Sequence, residues 1–296
     1  MPAFTLTSAL ASTLIPAITI SPDEYKNGYP VNTFSKVCLA QGDSWFSIGA
    51  LPPWRTTNVL FGLKLAQGTC IVNCAKPGAV LRHMTDTTTD TVFLQIMHGA
   101  LSMKFDAILL SGGGNDMIDA MQSTDPSPAK RLLLCSNEWG PSVAGAMRYI
   151  SDVGWSTFES HLEAVFTQFI AARDRSGSKN RDVPVVFHTY DRPTPRDAGA
   201  GLGFGPWLFK ALTAFVIPPA DWEGVSQELF KRLLVMLCRF EQKFPNVHLV
   251  DTQGTLIPAA AGDTGASQDW QNEIHPTRSG YKQLAAKWAP VIDSLL

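Results

Sequence analysis

Lys36-Val37-Cys38-Leu39-Ala40-Gln41-Gly42-Asp43-Ser44-Trp45 decides the fold. The run from Val37 to Gln41 is short and apolar at consecutive positions, the pattern of a strand covered on both faces. Gly42-Asp43 closes it with turn chemistry, which leaves Ser44 at the mouth of a buried strand. Taken alone, the tetrapeptide reads as an ordinary polar turn; its partners elsewhere in the chain give it chemical meaning.

Four further runs share this character: Thr69–Asn73, Phe105–Ser111, Val183–Thr189 and Val247–Asp251. Helix-length segments fall between and after them at Thr56–Gln67, Asp90–Met103, Ser156–Arg173, Asp221–Lys243 and Arg278–Ile292. The fourth carries a Leu229, Leu233, Met236, Leu237, Phe240 stripe at helical spacing. Alternating strand and helix predicts a parallel sheet with right-handed crossovers and helices on both faces, a three-layer α/β/α sandwich on a five-stranded parallel sheet. No linker, charge block, low-complexity tract or internal repeat divides the chain, so a single domain over 1–296 is expected, with residues 1–35 as an N-terminal extension and the core from about 36 to 296.

Composition narrows the function classes. Charged residues make up 17% of the 296 residues, against roughly a quarter in average globular chains, and the eight Trp and sixteen Phe suit a large core with aromatic surface left for a ligand. A net charge of −2, with scattered Lys and Arg, offers no footprint for nucleic acid or an anionic membrane; a small or neutral substrate is expected. Cys38, Cys70, Cys74, Cys135 and Cys238 read as buried thiols of a reducing compartment. Cys70 and Cys74 lack a second ligand pair, so no metal site is expected. The apolar stretch from Leu10 to Ile20 has no Lys or Arg before Lys26 and is interrupted by Pro16, a poor signal peptide. No later segment is long and uncharged enough to span a bilayer, and a cytoplasmic location is expected.

In open parallel sheets the ligand site lies beyond the carboxyl ends of the strands, and the unusual residues fall in those loops. They are Gly42-Asp43-Ser44, Asn73-Cys74-Ala75-Lys76-Pro77-Gly78, Gly112-Gly113-Gly114-Asn115-Asp116 and, after the last strand, Asn272-Glu273-Ile274-His275-Pro276. Acyl transfer to water needs a nucleophile, a base and donors for the tetrahedral oxyanion. Ser44 supplies a candidate nucleophile and His275 a candidate base. The backbone N–H groups of Ser44 and Gly78 and the side-chain amide of Asn115 are candidate oxyanion donors. Asp116 is expected to cap the short helix that follows.

These four blocks, in this order, resemble those of the GDSL, or SGNH, hydrolase superfamily, with Trp45 where the family usually has Leu. The resemblance runs from Val37 to the final helix and implies a flavodoxin-like sandwich, serine-dependent ester hydrolysis, and no metal or organic cofactor. The last block departs from the family pattern: Asn272 stands where an aspartate usually precedes the histidine by three. Asparagine retains an acceptor oxygen for the imidazole N–H but supplies no charge. Asp269 or a backbone carbonyl are the alternatives for that role, and Glu273 reads as a surface residue.

Other features carry less. His83, His98, His161 and His248 read as surface or packing residues; His188, at the end of strand four, reads as packing and loop support. The stretch Gly199-Ala200-Gly201-Leu202-Gly203-Phe204-Gly205 lacks the strand, helix and downstream acid of a dinucleotide loop and fits a mobile or closely packed loop beside the site. Its neighbouring aromatics Phe204, Trp207 and Phe209 either line an acyl pocket or pin the loop to the core, and Trp45 is expected to contact substrate or wall the pocket. No Gly-x-Ser-x-Gly elbow surrounds any serine. The reading is a serine hydrolase of a small-molecule or carbohydrate ester, with Trp45 and Trp207 at the substrate. The alternative is a non-catalytic carbohydrate- or protein-binding module of the same fold.

Overall fold

The computed structural model describes residues 13–47, 57–84, 86 and 91–296. Among these, strands β1 (Ile15–Pro16), β2 (Ile18–Ile20), β3 (Lys36–Gly42), β4 (Lys64–Leu65), β5 (Thr69–Asn73), β6 (Ala107–Ser111), β7 (Val185–His188) and β8 (Val247–Val250) build two sheets. The large sheet has the order β2-β5-β3-β6-β7-β8, and all its pairings are parallel. Each of the five expected strands is present. The sixth, β2, corrects the expected strand count: it comes from the segment read as an N-terminal extension and pairs Ile18–Ile20 with Cys70–Val72. A three-residue strand leaves too little pattern to be seen in sequence.

Helices follow from the intervening segments. They are α1 (Pro22–Lys26), α2 (Val59–Gly62), α3 (Leu81–Met84), α4 (Thr91–His98), α5 (Gly114–Gln122), α6 (Asp152–Asp174), α7 (Leu208–Ala214), α8 (Trp222–Lys243) and α9 (Arg278–Leu295). The helix expected over Thr56–Gln67 is instead the single turn α2, capped by Asn58, followed by β4. Gly62, the last residue of α2, lies against α9, where a Cβ would come within 2.8 Å of Ala285 Cβ. Thr56 and Asp90, at the starts of two expected helices, lie outside the described residues. The expected cap on α5 is also corrected. Gly113, at φ +100°, occupies the N-cap, while the Asp116 carboxylate accepts from the Leu81 N–H at 2.9 Å, tying α5 to α3.

Alternate side chains of β7 show the layering. Phe187 packs against Phe166 of α6, 5.4 Å between ring centroids, and His188 against Trp288 of α9, also 5.4 Å. Strands β3 and β6 are buried almost throughout, as their apolar runs demand. Without β2, the order β5-β3-β6-β7-β8 is the doubly wound one whose chain direction reverses between the first and third of these strands in sequence, here β3 and β6. Loops leaving these two strands diverge and open a crevice at their carboxyl ends.

Register fixes what meets there. Gly42 pairs with Ser111, and the Asp43 N–H donates to the Ser111 carbonyl at 3.1 Å. The two strands end level, and Ser44 emerges beside the glycine loop. Glycine at 42 is required by this close approach: a Cβ would lie 2.8 Å from Ser111 Cβ and 2.9 Å from its carbonyl oxygen. Gly42→Ala is therefore expected to destabilise the fold by about 1–3 kcal/mol. The measurement is urea unfolding, read as a lower midpoint at unchanged slope.

Candidate active site

Ser44 opens a short turn in which the Phe46 and Ser47 N–H groups both donate to the Asp43 carbonyl. It is half-buried, and Ser44 Oγ lies 2.8 Å from His275 Nε2. His275 is delivered by the loop between β8 and α9, whose ends are drawn together by the Thr277 N–H on the Asp269 carbonyl at 2.7 Å. Within that loop Asn272 Oδ1 accepts from three groups: the Ile274 N–H at 3.2 Å, the His275 N–H at 2.9 Å and His275 Nδ1 at 3.0 Å. Asp269 does not reach the imidazole. Its carboxylate is occupied by the Ile257 N–H at 2.9 Å, so the side chain facing His275 Nδ1 is Asn272.

Two backbone donors on Asn272 Oδ1 orient the amide. Rotating it would turn Nδ2 against two N–H groups, so the oxygen faces the imidazole, which keeps its proton on Nδ1 and its lone pair on Nε2 toward Ser44. Asn272 Nδ2 is buried without a hydrogen-bond partner, consistent with a position selected by its oxygen. Burial, with no carboxylate on the ring, lowers the His275 pKa to about 4, because desolvation penalises the imidazolium.

The other loops gather at the same place. The Lys76 N–H donates to the Gly42 carbonyl at 2.9 Å, and Asn115 Nδ2 to the Ala79 carbonyl at 3.0 Å. Gly78, at φ +70°, immediately precedes Ala79, so the second loop is tied to the first and the third. Asn115 and Ser44 line one small cavity. Among the described residues the Ser44 and Gly78 N–H groups are not taken up by other groups.

Trp45 is buried, with 4% of its area exposed, and walls the small cavity beside Ser44, as expected. Its indole N–H donates to the Ile274 carbonyl at 3.2 Å, and its ring packs against Tyr190 at 5.0 Å and Tyr281 at 5.9 Å. Trp207 stands edge-on to the His275 ring at 5.3 Å. Phe209 packs on Trp222 instead, and Phe204 is exposed; none of the three lines the cavity beside Ser44.

Beneath Ser44 is a polar network that sequence patterns do not show. Asp43 accepts from the Trp45 N–H at 2.9 Å, from Ser111 Oγ at 2.8 Å and from the Tyr190 hydroxyl. Ser111 Oγ also meets His188 Nε2 at 2.9 Å. This is a second grouping of Ser, His and Asp, but its order is wrong for base catalysis: the serine bridges acid and histidine, where a triad has histidine between them. Ser111 is fully buried. Burial raises the Asp43 pKa to about 6 and lowers that of His188 to about 3, so the neutral imidazole donates to Ser111, which donates to Asp43.

Glu273 is another correction. Read as a surface residue, it is fully buried. Its carboxylate accepts the N–H groups of Arg196, Trp207, Leu208 and Phe209, at the start of α7. Desolvation lifts its pKa to about 7. The cysteine expectation also changes: Cys135 is exposed and Cys238 half-buried, all five being free thiols. Among the described residues no cluster of three His, Cys, Asp or Glu is placed to hold a metal, and no helix is long and apolar enough to cross a membrane.

No family model matches the chain, and no curated protein matches it in sequence. Solved structures do. Its α/β/α architecture is shared with solved lipases. A lipase from a goat rumen metagenome shares it at 15% identity, over 86% of this chain and 96% of that one, with a TM-score of 0.50. An extracellular lipase from Streptomyces rimosus also shares it at 15% identity, over 88% of this chain and all of that one, with a TM-score of 0.51. At such identities the likeness is one of fold.

The His275 geometry carries a prediction independent of any activity. Asn272→Asp places a negative charge on Nδ1, and an opposite charge favours the charged form, so the His275 pKa rises from about 4 toward or above the ordinary 6.5. The imidazole resonances followed by NMR titration measure this; an unmoved titration contradicts the pairing.

Proposed function

We propose that this protein is a serine hydrolase that cleaves a carboxylic ester through an acyl-Ser44 intermediate. The observation that carries the reading is the 2.8 Å contact of Ser44 Oγ with His275 Nε2, on an imidazole whose other nitrogen faces Asn272 Oδ1. The fold shared with two lipases supports it.

As Ser44 Oγ attacks the ester carbonyl, its proton passes to His275 Nε2 and the carbonyl oxygen becomes an oxyanion. The Ser44 and Gly78 N–H groups and the second N–H of Asn115 are the donors assigned to it. Collapse of the intermediate expels the alcohol, which takes the proton from His275. Water, deprotonated by the same nitrogen, then attacks the acyl-enzyme; the products are a carboxylic acid, an alcohol and free Ser44.

Asparagine in the third position lowers electrostatic help without disturbing orientation. In serine proteases Asp→Asn costs about 10⁴ in turnover because the amide favours the wrong tautomer. Here two backbone N–H groups fix the amide oxygen toward the ring, which removes that cause. What is lost is charge stabilisation of the imidazolium. The compensating property is a base that is neutral, hence competent, over a wider acid range.

Ser44 is expected to be labelled by a fluorophosphonate at neutral pH, with hydrolysis of p-nitrophenyl acetate lost in Ser44→Ala. A protein that neither labels nor hydrolyses is a binding module of this fold. Asn115→Ala is expected to lower kcat by about 10² to 10³ with little change in thermal unfolding. The acid limb of kcat/KM follows protonation of His275, so activity is expected to persist well below pH 6.5 and to fall as the pH passes through about 4. A pH–rate profile with an acid limb near 6.5 contradicts this.

A further inference from the structure

We infer that Tyr190 is the spacer that sets the distance between the Ser44 N–H and the Asn115 amide, and so is a positioning residue for two of the donors assigned to the oxyanion. This rests on the acyl-Ser44 reading and adds to it the part that holds those donors in place.

Three contacts put Tyr190 between the two loops. Its hydroxyl donates to the carboxylate of Asp43, the residue before Ser44. The same oxygen lies 3.3 Å from Ser111 Oγ, at the end of β6 where the glycine loop begins. Its ring packs on Gly114, the residue before Asn115, so closely that a Cβ there would lie 2.9 Å from Cζ and 3.1 and 3.2 Å from the two Cε atoms. Ser44, Gly114, Asn115 and Tyr190 line one cavity, so the spacer and both donors border the same space.

The spacer is itself held. The Trp45 indole meets its ring edge-on at 5.0 Å, and the His188 ring lies at 4.3 Å. On one side in sequence the Thr189 N–H donates to the Val250 carbonyl at 3.3 Å. On the other, the Asp191 carboxylate accepts the Gly254 and Leu256 N–H groups at 2.8 and 2.7 Å. Between these anchors Tyr190 sits at φ +55°, a left-handed conformation that disfavours a bulky residue and persists only where the surroundings over-determine it.

Distance is what this arrangement controls. One Asn115 N–H is spent on the Ala79 carbonyl at 3.0 Å, which aims the side chain. How far that side chain stands from Ser44 depends on where α5 begins, and α5 begins at Gly114, against the Tyr190 ring. An oxyanion donor acts only within hydrogen-bond reach of the developing charge, and a misplacement of about 1 Å costs roughly 10²-fold in rate.

The test disturbs the spacer from both sides. Tyr190→Phe unfastens the ring from Asp43, and Gly114→Ala pushes α5 off the ring; either decides the matter if the other does not fold. Active sites are counted by fluorophosphonate labelling of Ser44 taken to completion, so loss of folded protein does not register as loss of turnover. On p-nitrophenyl acetate each variant is expected to lower kcat by roughly 10- to 100-fold. KM is expected to stay within about twofold, because these donors act in the transition state. Each variant is then combined with Asn115→Ala. With the amide gone its placement no longer matters, and the double variants are expected to turn over within about twofold of Asn115→Ala alone. An unchanged kcat in the folded single variants overturns the assignment and leaves the hydrolase reading standing. Losses that multiply in the double variants, or a raised KM at unchanged kcat, do the same. Asn115→Ala without effect removes the donor that the spacer serves and overturns it too. A wild-type protein that neither labels nor hydrolyses the ester overturns the serine mechanism and the assignment with it.

Discussion

The Asp43 carboxylate holds three parts of the site in one piece. It takes the Trp45 N–H from its own turn, the Ser111 hydroxyl from the end of β6, and the Tyr190 hydroxyl from the segment after β7. It has no cationic partner in this network; its charge is met by donors alone, and burial lifts its pKa to about 6. A buried carboxylate is tolerated only where its lone pairs are filled. Every loop that shapes the surroundings of Ser44 must therefore arrive in register. The pairing of Gly42 with Ser111 supplies that register.

A division of labour follows. Asp43, Ser111 and the Tyr190 hydroxyl, directly under the serine turn, are buried and bonded to one another, and they fix the backbone from which Ser44 projects. The groups gathered around Ser44 Oγ and His275 are neutral: a hydroxyl, an imidazole, two amides and backbone N–H groups. The His275–Asn272 pair carries no formal charge, because the side chain facing Nδ1 is an amide. The buried carboxyl groups nearby, Asp43 and Glu273, accept hydrogen bonds that position loops and do not bond the His275 ring.

How much of this was legible in the sequence depends on whether a feature is local. The five longer strands of the large sheet announce themselves as apolar runs, and Ser44, Asn115 and His275 sit in loops whose composition is unusual at short range. Strand β2 escapes because Ile18-Thr19-Ile20 is too short to show a pattern and owes its state to its neighbour β5. The helix expected around Gly62 gives way to the single turn α2 and to β4, where tertiary context overrides propensity. Ser111, His188 and Tyr190 look like ordinary strand-end residues; only sheet pairing brings Ser111 and Tyr190 onto Asp43 and His188 onto Ser111. Glu273 looks like a surface acid until the chain folds four N–H groups around it, a fact that no spacing rule encodes.

That placement of Glu273 divides the loop from 196 to 209 into two kinds of backbone. Arg196 and residues 207–209 are clamped to the carboxylate, and the Arg196 guanidinium bonds the Asp263 carbonyl at 2.9 Å. Between the clamped ends, Ala200 and Phe204 close a small hairpin on themselves, with Leu202 94% exposed at its tip. Exposed tips whose flanks are independently anchored tolerate insertion. The hairpin is thus a module in the engineering sense: foreign sequence grafted between residues 200 and 204 would extend into solvent while Glu273 keeps Trp207, and with it the flank of the His275 ring, in place. The exposed rim of this loop is separable from the buried clamp that carries it.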